Sequence, residues 1–240
     1  MSGPEPDGPN PPGVGGTAPG VGGDAPGVGE NAPERASLGP AEALQTFGVA
    51  RARSWRGGRV SRVRGENVLR VRYRDLEALV CAVPYEVPTL DDAGVLAHQR
   101  IVDGALRRGS VLPLPYGVIF RGRRQLIRFM QEQYLVLDEG LSLLEGHWEL
   151  RLHIAPASPE EAEGLGDTAL ECYAELRRHA RAAVPLPREG RRLLTAAFLV
   201  ERATWIEFVE RTDDLGSTHP ELAFDVTGPW PAYDFVRINV

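Results

Sequence analysis

The sequence predicts an α+β protein made of two small units, each a sheet with helices packed on one side. Three observations predict it. Segments of period-2 hydrophobicity are interleaved with segments of helical period in mixed order, as at Val68–Arg74 and Ile127–Leu144. Leu193–Val200 is an almost continuous apolar run, which reads as a strand buried on both faces. The chain closes on Gly228-Pro-Trp-Pro-Ala-Tyr-Asp-Phe, where two prolines forbid helix and favour a stiff, extended strap carrying Trp230, Tyr233 and Phe235.

The predicted order is a tail over residues 1–42, a first α+β domain over 43–155 and a second over 156–240. The tail holds three seven-residue units starting at Gly13, Gly20 and Gly27, each with Gly and Pro. That composition excludes a helical heptad, and nothing large is available to offset the entropy of ordering. Residues 1–43 contain six acids and one arginine, net −5, which leaves about −1 of the total −6 for the rest. A folded part so balanced argues against steering toward nucleic acid or an anionic membrane. No apolar run approaches a membrane span, and the first residues do not read as a signal peptide, so a soluble, cytoplasmic protein is expected. Cys81 and Cys172 sit among apolar neighbours and read as buried thiols.

The first unit opens with a strand over Leu44–Ala52. Val68–Arg74 alternates, with Leu69, Val71 and Tyr73 opposite Arg70, Arg72 and Arg74. Leu76–Val83 continues as a more buried strand. Thr89-Leu-Asp-Asp92 has the spacing of a capping box and starts a helix to about Arg108, stopped by Gly109. Val111–Phe120 is extended around Pro113 and Pro115. Ile127, Met130, Tyr134, Leu137, Leu141 and Leu144 then predict one helix over 123–145, either core-facing or a short homomeric coiled coil. A strand over His147–Ile154 closes the unit, with His147, Glu149, Arg151 and His153 on a solvated face. In the second unit, a helix over 167–183 carries the stripe Leu170, Tyr173, Leu176 and Ala180. A second capping box, Thr204-Trp-Ile-Glu207, opens a helix to about Leu215. Leu222–Thr227 is a strand leading into the strap.

No pattern in the chain points to catalysis or a cofactor. Metal-ligand spacings, phosphate-binding glycine loops and nucleophile elbows are all missing. His147 and His153, six residues apart on a strand, are separated by about 20 Å, too far to share a zinc ion. His98 falls on the apolar side of its helix and reads as a hydrogen-bonded core histidine. Nine arginines between residues 51 and 74 face one acid, Glu66. They form an electrostatic footprint for RNA or another polyanion, although the stacking aromatics of RNA-binding sheets are scarce there. A solvated face, or one that docks to an acidic partner, is the preferred reading, and RNA or polyanion binding through residues 51–74 is the alternative.

Thr227-Gly-Pro-Trp-Pro-Ala-Tyr-Asp-Phe-Val236 resembles the C-terminal signature of the gas vesicle GvpL/GvpF family. Four more stretches fit in order: Tyr73–Val80, Val111–Phe120, Leu144–Leu150 and Ala196–Arg202. The resemblance implies a ferredoxin-like first domain and a modified ferredoxin-like second domain. It also implies a non-enzymatic accessory or minor structural protein of the gas vesicle that needs no cofactor or metal. Such a protein would bind a GvpA-like shell subunit, and possible further accessory proteins, and limit subunit aggregation during nucleation. The expected contact residues are Arg70, Arg72, Arg74, Tyr116, Phe120, Trp230, Tyr233 and Phe235.

Overall fold

The computed structural model describes residues 42–52, 62–63, 66–86, 90–158 and 164–238. The repeat tail, Thr89 and residues 53–61 and 64–65 of the arginine-rich segment lie outside the described residues. In chain order the elements are β1 (Glu42–Arg51), β2 (Arg62–Val63), β3 (Glu66–Asn67), β4 (Leu69–Tyr73), β5 (Leu76–Pro84) and α1 (Asp92–Leu106). There follow β6 (Val111–Pro113), β7 (Ile119–Phe120), α2 (Gly122–Glu132), α3 (Tyr134–Leu144) and β8 (His147–Pro156). The last elements are α4 (Leu165–Arg177), β9 (Ala182–Pro185), β10 (Leu194–Glu201), α5 (Trp205–Thr218) and β11 (Leu222–Trp230).

Two larger antiparallel sheets with helices result, together with a short antiparallel β2-β3 pair, so the fold is α+β as the pattern predicts. The first sheet runs β4-β5-β1-β6, with β7 also on β1. Its central strand β5 is buried on both faces. Leu76, Ala78 and Val80 join Leu126, Met130, Leu137 and Leu141 of α2 and α3. Leu79 and Cys81 join Ile101, Val102 and Ala105 of α1. Helices therefore cover both faces of this sheet, where the sequence reading has them on one. The reason is that β5 offers apolar side chains in both directions, and each face needs a cover.

The predicted long helix is two helices, α2 and α3, broken at Gln133 (φ −97°, ψ 11°). The apolar stripe survives the break: Met130, Leu137, Leu141 and Leu144 are all buried against the chain's own sheet, which leaves no seam for a coiled coil. At the start of α1 the cap is Asp91, whose Oδ1 accepts the Gly94 N–H at 2.5 Å. Thr204 caps α5 by position but makes no side-chain cap bond, so that capping box does not form.

The second sheet runs β11-β8-β10-β9, all antiparallel. Strand β8 does not close the first unit; it is an inner strand of this second sheet. Its Leu150, Leu152 and Ile154 pack with Phe198 and Val200 of β10 beneath Cys172 and Leu176 of α4 and Phe208 of α5. Helix α4 stops at Arg177, six residues short of its predicted end at 183, because Ala182–Pro185 pairs with β10 as the edge strand β9. The face of α4 turned to the sheet is Ala169, Cys172 and Leu176, which leaves Leu170, expected in the stripe, 56% exposed. Both cysteines are buried and form no disulfide. No helix among the described residues is long and apolar enough to cross a membrane.

Candidate partner-binding surface and the strap

The strap begins as the end of an edge strand. β11 pairs with β8 up to Thr227, slips register, and pairs again at Trp230 opposite Glu149. Gly228 makes the slip possible at φ 129°, and a Cβ there would lie 2.9 Å from the Glu149 carbonyl oxygen. The Gly228–Pro229 peptide is cis. Trp230 is half-buried. Its indole Nε1–H donates to Thr227 Oγ1 at 3.1 Å, and the Arg151 guanidinium lies 5.9 Å from its ring. Beyond it the chain leaves the sheet: Ala232 enters the core of the first unit, with Phe235, Val236 and Ile238 packed beside it. The strap thus crosses from the second sheet to the helices of the first. Gly140 of α3 receives it, since a Cβ there would sit 3.0 Å from Val236 Cγ1 and 2.6 Å from Leu112 Cδ1.

Beneath the strap lies a polar knot that the sequence reading leaves on a solvated strand face. Glu149 is 0% exposed. Arg151 Nε donates to Glu149 Oε1 at 2.8 Å, and Arg151 Nη2 donates to Asp234 Oδ2 at 2.9 Å. The Asp234 N–H points at Glu149 Oε2 from 3.4 Å. Burial, reinforced by the Asp234 carboxylate, pushes Glu149 up to about 7 despite the Arg151 guanidinium. Burial also lifts the Tyr233 phenol to about 12, with Asp103 and Glu149 adding to it. A polar groove of about 460 Å³ adjoins the knot, lined by His153, Thr195, Asp225 and Trp230 among others.

The remaining expected contact residues are spread over the first unit. Arg70 Nη1 lies 3.7 Å from Glu77 Oε2. Arg72 is exposed, its Nε donating to the Arg74 carbonyl at 2.8 Å. Arg74 has φ 53° and lays its guanidinium over Tyr134 (4.9 Å) and Tyr73 (5.5 Å). Tyr116 is half-buried, edge-on to His98 at 5.7 Å. Phe120 is 6% exposed, its ring against Phe129 at 5.0 Å. His98 is the core histidine that its helix position predicts. It is 3% exposed and its Nε2–H donates to the Leu114 carbonyl at 2.9 Å, while burial holds it below the usual histidine range.

Arg51, one of the nine clustered arginines, is absorbed locally. Its Nη1 meets Asp75 at 3.0 Å and Asp138 at 2.6 Å, and Tyr134 OH donates to Asp75 at 2.7 Å. This network ties β1 to α3. Apolar side chains, by contrast, stand uncovered at the start of α1: Leu90 is 82% exposed, Leu96 50% and Val95 37%. Sequence reasoning missed them because an N-terminal helical turn with Leu and Val looks like any other core-facing turn.

The family model described as gas vesicle synthesis protein GvpL/GvpF matches residues 43–169 and 160–237. Gas vesicle protein F2 of Halobacterium salinarum is 26% identical over 176 residues, covering 71% of this chain and 80% of its own length. Gas vesicle protein L of a Streptomyces species is 26% identical over 227 residues, covering 72% and 85%. The crystal structure of gas vesicle protein GvpF from Anabaena superposes with a TM-score of 0.72 at 14% identity, over 83% of this chain and 98% of that one. Fold and motifs together define an α+β accessory protein of the gas vesicle. The chain belongs to the GvpL/GvpF family, whose members are involved in gas vesicle formation.

Proposed function

We propose that the chain binds the apolar shell subunit of the gas vesicle as a non-enzymatic accessory protein and limits subunit aggregation while assembly begins. Family membership supplies the setting. The observation that carries the reading is the uncovered apolar group at the start of α1: Leu90, just before the helix, is 82% exposed, and Val95 and Leu96, within it, are 37% and 50% exposed. A subunit built to polymerise has apolar surface that must be covered until then, and such a group offers it an anchor. Arg72 and Arg74, on or beside the edge strand β4, supply cations for the subunit's carboxylates. Trp230, Tyr233 and Phe235 act in this reading as the strap that holds the two sheets together, Tyr116 supports α1 through its edge-on contact with His98, and Phe120 packs with Phe129 on the other face of the sheet.

The experiment is co-expression with the shell subunit followed by capture on the tagged chain. Leu90→Glu with Leu96→Glu is expected to abolish co-capture and leave the melting temperature within a degree or two, because both side chains already face water. Unchanged capture by the folded double variant would remove α1 from the contact.

A further inference from the structure

The strap is held on the second sheet by charges that do not balance. Glu149 and Asp234 share one guanidinium, that of Arg151, so the ionised knot carries one excess negative charge. Glu149 has no contact with water to spread that charge, being 0% exposed. Among the described residues no second cation is paired with either carboxyl, and Arg192, which lines the adjoining groove, lies 3.7 Å from Glu189. From the strap comes the neutral Tyr233 phenol, and from α1 the acid Asp103 acts on the same phenol. From β10 the residue paired with Glu149 is Leu199, and from β11 it is Trp230. Along β8 itself, His147 Nδ1 is taken by the Glu145 carbonyl at 2.6 Å. Burial, with Arg192 beside it, holds His153 below its usual range. Arg151 and Asp234 keep 32% and 25% of their side chains exposed to the groove, but Glu149 is sealed from water, so its missing positive charge is met by a proton.

The geometry points to a proton-operated clasp: with one proton on the Glu149–Asp234 pair the strap stays shut on β8, and loss of that proton loosens it. The contacts at stake are specific. Ionising both carboxyls sets Asp234 against Glu149, while the Asp234 N–H and the Arg151 bridge are the polar ties between strap and sheet. Once they yield, Phe235, Val236 and Ile238 can leave the first unit's core, because no helix or strand bond holds them there. The sign follows from the raised carboxyl. The shut form holds a proton that the open form gives up at an ordinary glutamate's value, so closure is strongest below that value. It weakens as pH climbs toward about 7 and stays weak above.

Hydrogen exchange of the full chain tests this directly, followed by mass spectrometry over residues 232–238 and corrected for the chemical pH dependence of exchange. The core of β10 serves as the internal reference. Between pH 5 and pH 8 the opening of the strap should increase on the order of 50-fold, while β10 keeps its protection. Glu149→Gln, which keeps the shape and removes the charge, should stay shut and flat across the same range. Asp234→Asn removes a carboxylate that helps raise Glu149, so its pH step should be smaller and should end at lower pH, and it serves if the glutamine variant does not fold. A wild-type strap whose opening is flat with pH would overturn the clasp. So would a pH response identical in wild type and both variants, or one shared equally by β10.

Discussion

Two glycines in two helices offer the sharpest check on how the strap is seated. Gly104 of α1 has nothing within 4 Å of the place a Cβ would occupy, so Gly104→Ala should stabilise the protein by about 1 kcal/mol through helix propensity alone. Gly140 of α3 differs only in its surroundings. A Cβ there meets Leu112 Cδ1 at 2.6 Å and Val236 Cγ1 and Cγ2 at 3.0 and 3.3 Å, and Leu112 is 0% exposed with nowhere to move. Overpacking of this kind costs about 1–3 kcal/mol. Set against the same propensity gain, Gly140→Ala should lie between neutral and about 2 kcal/mol destabilising. The pair should therefore differ by about 1–3 kcal/mol. Adding Val236→Ala to Gly140→Ala removes two of the three close contacts, so the double variant should recover at least about 0.5 kcal/mol relative to additivity. Urea unfolding followed by far-ultraviolet circular dichroism gives all four values, provided the slope stays constant. If Gly140→Ala stabilises as much as Gly104→Ala, or if no coupling to Val236 appears, the strap does not lie on α3.

Trp230→Ala should cost about 3 kcal/mol in the same assay, near the low end for a tryptophan because the ring is half-buried and loses its bond to Thr227. His98→Leu leaves the Leu114 carbonyl without its donor and should destabilise by about 1–3 kcal/mol. Burial keeps His98 neutral in the fold. Its contribution is therefore complete above the usual histidine range and is lost as pH falls below it, since only the unfolded chain gains the proton. Urea midpoints at pH 5 and pH 7.5 should show a smaller drop for His98→Leu than for wild type, and equal drops would contradict a buried neutral imidazole.

Local pattern carried much of the fold. The alternation at Val68–Arg74 and the apolar run at Leu193–Val200 each named a real strand, and the stripe from Met130 to Leu144 marked helix but joined two helices into one, because burial on one face, both faces or a helical stripe leaves its period in the sequence. Pairing was not legible. Nothing in residues 147–154 says which sheet they join; that depends on strands β10 and β11, 40 or more residues later. The break at Gln133 hides because the stripe continues through it in phase. Edge strand β9 hides because Ala182 and Ala183 extend a helical composition. The strap's stiffness was readable from its prolines, but its polar anchor was not. Glu149 and Arg151 look like residues of any solvated strand face until Asp234 arrives from a part of the chain far away in sequence.

In the proposed function this protein covers an apolar subunit and leaves it chemically unchanged. Light scattering of the purified shell subunit on dilution from denaturant, with and without an equimolar amount of the folded chain, tests that claim most directly. Delayed and reduced scattering, a soluble complex of the two proteins and an unaltered subunit mass are the expected outcome. Unchanged scattering with no complex formed would contradict it.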